Sequence, residues 1–173
     1  LLWDPVSIAF DPRNGDMYIG EGHGAESPND RQSGDLHNTS GAARVIRLDK
    51  DGKLRWKKSL GPMDSGFFSV PSAQWGFGSS PIIHEEKVIV LCDVQTNSFL
   101  AAFDLQSGRQ LWRTPRNDVP TWGCPTVVEA AGRKQIVVNG WHQSGGYAFA
   151  DGKELWRLDG GGALRERQHG LRP

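Results

Sequence analysis

Three segments of the chain repeat one phrase: a short apolar strand, a glycine turn, and a tryptophan with three residues between it and the glycine. They run from Val45 to Trp56, from Phe103 to Trp112 and from Tyr147 to Trp156, with turn glycines at Gly52, Gly108 and Gly152. The second and third tryptophans are 44 residues apart, as are their glycines and as are Pro81 and Pro125, which open the two units. A fixed period of about 40 to 50 residues built from short strands marks β-propeller blades, because one blade cannot bury its own faces and stacked blades can. A propeller closes with about four to eight blades, and this sequence holds three. The predicted fold is all-β: a partial β-propeller of about three four-stranded antiparallel blades.

The middle unit gives the plainest reading. Pro81 to Ile83 is a short strand, His84-Glu85-Glu86 a turn, and Lys87 to Cys92 an apolar strand expected to be covered on both faces. A polar loop, Asp93 to Ser98, leads to a strand at Phe99 to Leu105, and the Ser107-Gly108 turn leads to the strand bearing Trp112. The last unit repeats this with a hairpin four residues longer and a loop, Gly140 to Gly146, shorter by the same amount. Compensating changes at hairpin tips and loops are what a blade tolerates. The predicted division is a first blade over 1–60, a linker over 61–78, two blades over 79–162 and a disordered or foreign tail over 163–173.

Lys plus Arg equals Asp plus Glu, so the net charge is zero and the basic excess that nucleic acid or an anionic membrane would require is missing. No apolar run approaches the roughly 18 residues of a membrane span, and no signal peptide is visible. The chain opens on Leu1-Leu2-Trp3 and reads as cut from something longer. Cys92 and Cys124 lack metal-ligand spacing, and Cys92 ends an apolar strand as a buried thiol would.

From about Asp51 to Gly162 the chain resembles the pyrroloquinoline-quinone-like (PQQ-like) β-propeller repeat proteins of bacteria. The carriers are Asp51-Gly52-Lys53-Leu54-Arg55-Trp56, Trp75-Gly76-Phe77-Gly78-Ser79-Ser80-Pro81, Ser98 to Asp104, Arg109 to Arg116 and Gly152 to Trp156. Residues 5–50 resemble NHL repeats, through Pro5 to Pro12, Asn14 to Ile19 and Ala43 to Asp49. The resemblance implies a periplasmic or extracellular bacterial protein, with further blades supplied by the rest of the parent chain. It implies that Trp56, Trp112 and Trp156 dock each blade on its neighbour, with Gly52, Gly108, Gly152 and Asp104 shaping the turns. Ala148 stands where the middle unit has Asp104, so that turn loses an acceptor.

Resemblance to quinoprotein dehydrogenases would imply PQQ with calcium, held by Glu and Asn, beside an Asp base and often a vicinal disulfide. Here the two cysteines are 32 positions apart, and His23 stands where the calcium-ligating Asn would be, a poor ligand for a hard cation. A candidate loop gathers Glu21, His23, Glu26, Asp30, Asp35 and His37. Imidazole with carboxylate suits a transition metal in a lyase-type propeller, but nothing in the sequence orders these residues into one ligand set, so a plain solvated loop is the expectation. No catalytic, cofactor-binding or metal residue is assigned. The function expected is a non-catalytic scaffold that binds a protein or small ligand at a propeller face. A quinoprotein oxidoreductase or metal-dependent lyase is the alternative.

Overall fold

The computed structural model describes residues 5–21, 42–63, 66–67, 70–74 and 78–160. Among them there is no helix. The first sheet holds β1 (Pro5–Phe10), β2 (Met17–Glu21), β3 (Ala42–Leu48) and β4 (Leu54–Pro62), neighbours in that order. A short hairpin follows, β5 (Gly66–Phe67) with β6 (Val70–Gln74). The second sheet holds β7 (Ile82–His84), β8 (Lys87–Cys92), β9 (Phe99–Asp104) and β10 (Gln110–Pro115). The third holds β11 (Thr126–Ala130), β12 (Arg133–Asn139), β13 (Gln143–Ala148) and β14 (Glu154–Asp159). Every pairing is antiparallel and each four-stranded sheet is a meander, so the three sheets are blades of a partial β-propeller.

Packing explains why the middle blade reads as unbroken apolar sequence. Side chains alternate along a strand. Val88, Val90 and Cys92 of β8 therefore meet Tyr18, Ala43 and Val45 of the first blade. Ile89 and Leu91 point the other way, onto Ile136 and Val138 of the third. Strand β9 divides likewise, with Phe99, Ala101 and Phe103 on one side and Leu100 and Ala102 on the other. With both faces covered, no polar alternation survives. Each large side chain buried this way contributes on the order of 1.5–3 kcal/mol.

The open faces behave differently. Ile8, Phe10 and Leu54 are exposed on the first blade's far side, around buried Ile19, Ile46 and Leu48. Leu158 is exposed on the far side of the third.

One bulge recurs in all three blades. Arg47 pairs with Trp56 and Leu48 with Leu54; Ala102 pairs with Trp112 and Phe103 with Gln110; Gly146 pairs with Trp156 and Tyr147 with Glu154. The extra residue falls just before each tryptophan and re-aims the strand there. Trp56 then covers the turn of the next blade: a Cβ on Gly108 would lie 2.7 Å from its ring. Trp112 covers Gly152 in the same way, at 2.4 Å. Trp156 instead lies on Gly146 of its own blade and donates through Nε1 to Gln135 Oε1 at 2.8 Å.

These turns demand glycine for two separable reasons. Gly52 and Gly108 both have positive φ, 78° and 68°. Only Gly108 has a ring against it; nothing lies within 4 Å of a Cβ on Gly52. Gly52→Ala is expected to cost the left-handed backbone penalty alone, about 1–2 kcal/mol. Gly108→Ala adds displacement of Trp56 and is expected to cost distinctly more. Paired urea melts of the two variants check this, and equal midpoints would remove the docking contact.

Several boundaries differ from the sequence reading. The stretch 61–78, expected as linker, carries the end of β4 and the β5–β6 hairpin, since Phe67 and Val70 pair despite the Gly, Ser and Pro around them. Residues 143–146, expected in a loop, open β13. Their sequence Gln-Ser-Gly-Gly has little strand propensity, but Gly145 gives room to the Tyr147 ring and Gly146 to that of Trp156. The four extra hairpin residues lengthen β11 and β12 rather than the turn, adding the pairs Glu129–Lys134 and Ala130–Arg133. Glu21, expected in the polar loop, ends β2 fully buried opposite Arg44, whose Nε donates to its Oε2 at 2.7 Å. His23, Glu26, Asp30, Asp35 and His37 lie outside the described residues, as does the tail 163–173.

Candidate functional site

A meander puts its first–second and third–fourth turns on one edge and its second–third loop and outgoing link on the other. The two edges differ in chemistry. The turn edge is charged and exposed: Arg13 Nη1 meets Glu86 Oε1 at 2.7 Å and Lys134 meets Glu85, tying the first turns of neighbouring blades together. Such solvated pairs contribute little to stability.

The loop edge contains buried charges. It comprises 93–98 of the second blade, the link 116–125, and 139–143 of the third. Arg116, Asp93 and Asp118 have no exposed side-chain surface. Arg116 donates from Nε to Asp93 Oδ1 at 2.7 Å, and from Nη2 to Asp93 Oδ2 at 3.1 Å and Asp118 Oδ2 at 3.3 Å. Its Nη1 donates to the Tyr147 hydroxyl at 2.5 Å. Asp118 Oδ1 accepts the backbone N–H groups of Trp141 at 3.1 Å and His142 at 2.9 Å, and Thr121 Oγ1 donates to Asp93.

Further bonds close the hub. Ser98 Oγ donates to Asp118 O at 2.9 Å, Arg116 N–H to Ser98 O at 2.8 Å, and Gln143 Nε2 to Asn117 O at 3.2 Å. Three loops from two blades are thereby fixed to one guanidinium. Burial pushes the Asp93 carboxyl up, with the nearby Asp118 carboxylate adding to the effect, while Arg116 pulls it back. Two carboxylates share a single cation, so each depends on Arg116.

Above the hub stand Trp122, 55% exposed, Trp141, 41% exposed, and the half-exposed His142, whose Nδ1 is 3.6 Å from Asp118 Oδ1. The Trp122 ring rests on Gly78, where a Cβ would come within 2.0 Å of it. Positions 78 and 122 are one repeat apart, and this further ring-on-glycine contact lies at the opposite edge from Trp56 on Gly108.

The residues singled out from sequence are spread across the blades. Trp56, Trp112 and Trp156 lie at the outer strands with Gly108 and Gly152 between them, and Trp56 Nε1 also donates to Leu105 O at 3.2 Å. Asp104 Oδ1 accepts from Ser107 N at 2.8 Å and Ser107 Oγ at 2.6 Å, and these bonds hold its carboxyl below the usual range. With Ala148 in that place, Asp151 Oδ1 accepts Lys153 N–H at 3.0 Å instead. The hub residues went unassigned from sequence; Asp93 closing an apolar strand and Arg116-Asn117-Asp118 closing the Trp112 strand were the available signals.

Cys92 is buried in the core between the first two blades, and burial pushes its thiol well up, whereas Cys124 is exposed with Sγ accepting Ser80 N–H at 3.3 Å. Ellman's reagent is expected to modify one thiol per native chain and two in denaturant. Two fast-reacting thiols in the native protein would contradict the packing of β8. Among the described residues no three His, Cys, Asp or Glu side chains converge as metal ligands do.

A family profile described as outer membrane protein assembly factor BamB matches residues 8–169, a span that takes in the first blade with the two later ones. No curated protein matches the chain. Among solved structures, BamB from Moraxella catarrhalis is similar at 16% identity and a TM-score of 0.56, covering 88% of this chain and 37% of that one. A europium-containing methanol dehydrogenase aligns at 13% identity and a TM-score of 0.59, covering 90% of this chain and 32% of that one. The quinohemoprotein alcohol dehydrogenase ADHIIG from Pseudomonas putida HK5 aligns at 12% identity and 0.50, covering 83% and 25%. At such identities the likeness speaks for fold alone.

Proposed function

This chain belongs to the family of the outer membrane protein assembly factor BamB, a PQQ-like repeat β-propeller, and from that premise we propose a binding or assembly scaffold without chemistry of its own. The observation that carries the reading is the loop edge, where two exposed tryptophans stand on loops held rigid by a buried ionic hub. Loops on a fixed scaffold are where recognition concentrates, and preorganisation lowers the entropic cost of binding. The ligand in this reading is a protein. The site of action is outside the bacterial cytoplasm, in keeping with the relative's role in outer membrane protein assembly. Further blades are proposed to cover the open faces that carry Ile8, Phe10 and Leu54 on one side and Leu158 on the other.

The likeness to a methanol dehydrogenase favours a second reading, a quinoprotein oxidoreductase. The described residues do not fit a PQQ–calcium centre. The carboxylates at the loop edge, Asp93 and Asp118, are buried and already accept from Arg116, Thr121 and backbone N–H groups. Cys92 is buried at the end of β8, whereas Cys124 is exposed on the link between blades.

The test uses purified protein incubated with PQQ and calcium. No dye reduction with primary alcohols is expected, together with co-purification of an outer membrane assembly component from bacterial envelopes. Alcohol-dependent dye reduction would replace the scaffold by the oxidoreductase.

A further inference from the structure

We propose that the loop-edge hub is a proton-operated lock: as the surroundings acidify, Asp93 takes up one proton, Arg116 passes to Asp118, and the loops tied to the hub are held more firmly. As regulation of a binding edge this rests on the scaffold reading above; the protonation itself does not.

Acids and cations are matched at one edge and unmatched in the hub. At the turn edge, buried Asp16 has Arg47 and buried Asp11 has Arg13, one cation to each carboxylate. In the hub Asp93 and Asp118, neither with exposed side-chain surface, have Arg116 between them. With both ionised, the hub carries an excess negative charge that burial disfavours. Where two carboxylates share one site, one of them holds its proton more tightly.

The geometry points to Asp93. Asp118 Oδ1 is committed as acceptor to the backbone N–H groups of Val119 at 2.9 Å, Trp141 at 3.1 Å and His142 at 2.9 Å. Asp93 Oδ2 instead faces a hydroxyl, Thr121 Oγ1 at 3.2 Å, and a hydroxyl donates or accepts. A proton from solvent on Oδ2 reverses that bond: the acid O–H donates to Thr121 Oγ1, whose own hydrogen turns away. Asp93 Oδ1 keeps Arg116 Nε at 2.7 Å. Arg116 Nη2, now 3.1 Å from Asp93 Oδ2 and 3.3 Å from Asp118 Oδ2, then serves Asp118. The net charge of the hub falls to zero.

Burial pushes the Asp93 carboxyl up against the pull of Arg116, and Asp118 adds to the rise. A carboxyl raised in the fold adds stability as pH falls from its raised value to the unfolded one, about 3.9, and withdraws it as pH rises. Carboxyls held low, such as Asp11 and Asp104, act in the opposite sense. Around Asp93, among the described residues, stand the Tyr147 phenol, which accepts from Arg116 Nη1, and the Cys92 thiol next in the chain. Arg113 is engaged elsewhere, over the Phe99 ring and on Leu60 O. His142, with Nδ1 3.6 Å from Asp118 Oδ1, is the other group there that acidification can charge, so it needs its own control.

Carbon-13 NMR of aspartate-labelled protein follows each carboxyl through acidification. The Asp93 carboxyl is expected to titrate above the ordinary value, and the Trp141 and His142 amides, which donate to Asp118, to shift with the same midpoint. Urea midpoints of the native chain and of Asp93→Asn are compared over the same range, which cancels the carboxyls common to both. The native chain should gain on Asp93→Asn as pH falls, and both results should persist in a His142→Gln background. The NMR titration uses the native chain alone and decides even if Asp93→Asn does not fold. An Asp93 carboxyl that titrates at or below the ordinary value would overturn the proposal. So would a gap between the midpoints that stays fixed or turns against the native chain in acid, or a titration that disappears with His142. None of these outcomes touches the dye-reduction and co-purification results on which the scaffold reading stands or falls.

Discussion

Arg116→Met is expected to destabilise the protein by about 3–5 kcal/mol, the cost of breaking a buried ion pair from one side. Methionine keeps much of the side-chain volume, so packing is not the main loss. Asp93 and Asp118, both fully buried, would be left without their cation, and the Tyr147 hydroxyl without its donor. Burial and the neighbouring Asp118 carboxylate already push Asp93 up, and removing the guanidinium takes away what pulls it back. The variant should therefore recover part of its stability as pH falls toward 5, because a carboxyl whose folded pKa is raised favours the fold below that pKa and opposes it above. Urea midpoints at pH 7 and pH 5 read this out. Lys50→Ala, which removes a fully solvated pair with Asp51, should leave the midpoint where it is. An Arg116→Met midpoint equal to that of the native chain would mean that the hub contributes nothing.

Trp112→Ala is expected to cost about 3 kcal/mol or more, as loss of a large packed aromatic does. Its ring joins two blades: it packs in the cluster built by Ile89, Leu91, Ile136 and Val138 and closes over Gly152. Removing it leaves a void at that seam and uncovers the turn whose Gly152 carbonyl accepts from Thr114 Oγ1 at 2.7 Å. Trp156→Ala should cost less, although the two positions are equivalent in sequence, because the Trp156 ring lies on its own blade at Gly146. Thermal and urea melts of the two variants give the comparison. Equal losses would contradict the assignment of Trp112 to the seam between blades.

What could be read in advance follows from how local each signal is. The apolar runs at 87–92 and 99–104 are local, and burial on both faces follows from their lack of alternation. The glycine turns are local too, since left-handed backbone at positions such as Gly108 and Gly152 restricts the residue type. The bulge before each tryptophan was not legible, because register belongs to a pair of strands. Strand β13 was hidden by its glycines: Gly145 and Gly146 are required by the rings of Tyr147 and Trp156, side chains that a propensity argument does not weigh. The hub was hidden by distance. Asp93 and Arg116 are 23 residues apart and meet only because β8 and β10 run to the same edge of one blade. Trp156 is expected to act as Trp112 does, but its ring lies on Gly146, its cross-strand partner, where Trp112 has Ala102 opposite and covers the turn of a following blade.

The claim that this propeller works by binding at its loop edge is tested most directly by photo-crosslinking. A benzophenone side chain placed at position 141, on the loop edge, and in a second preparation at position 133, on the turn edge, is irradiated with the protein in a bacterial envelope fraction. The account predicts a discrete protein adduct from position 141 that the Trp122→Ala change diminishes, and none from position 133. Adducts from position 133 with none from position 141 would contradict it.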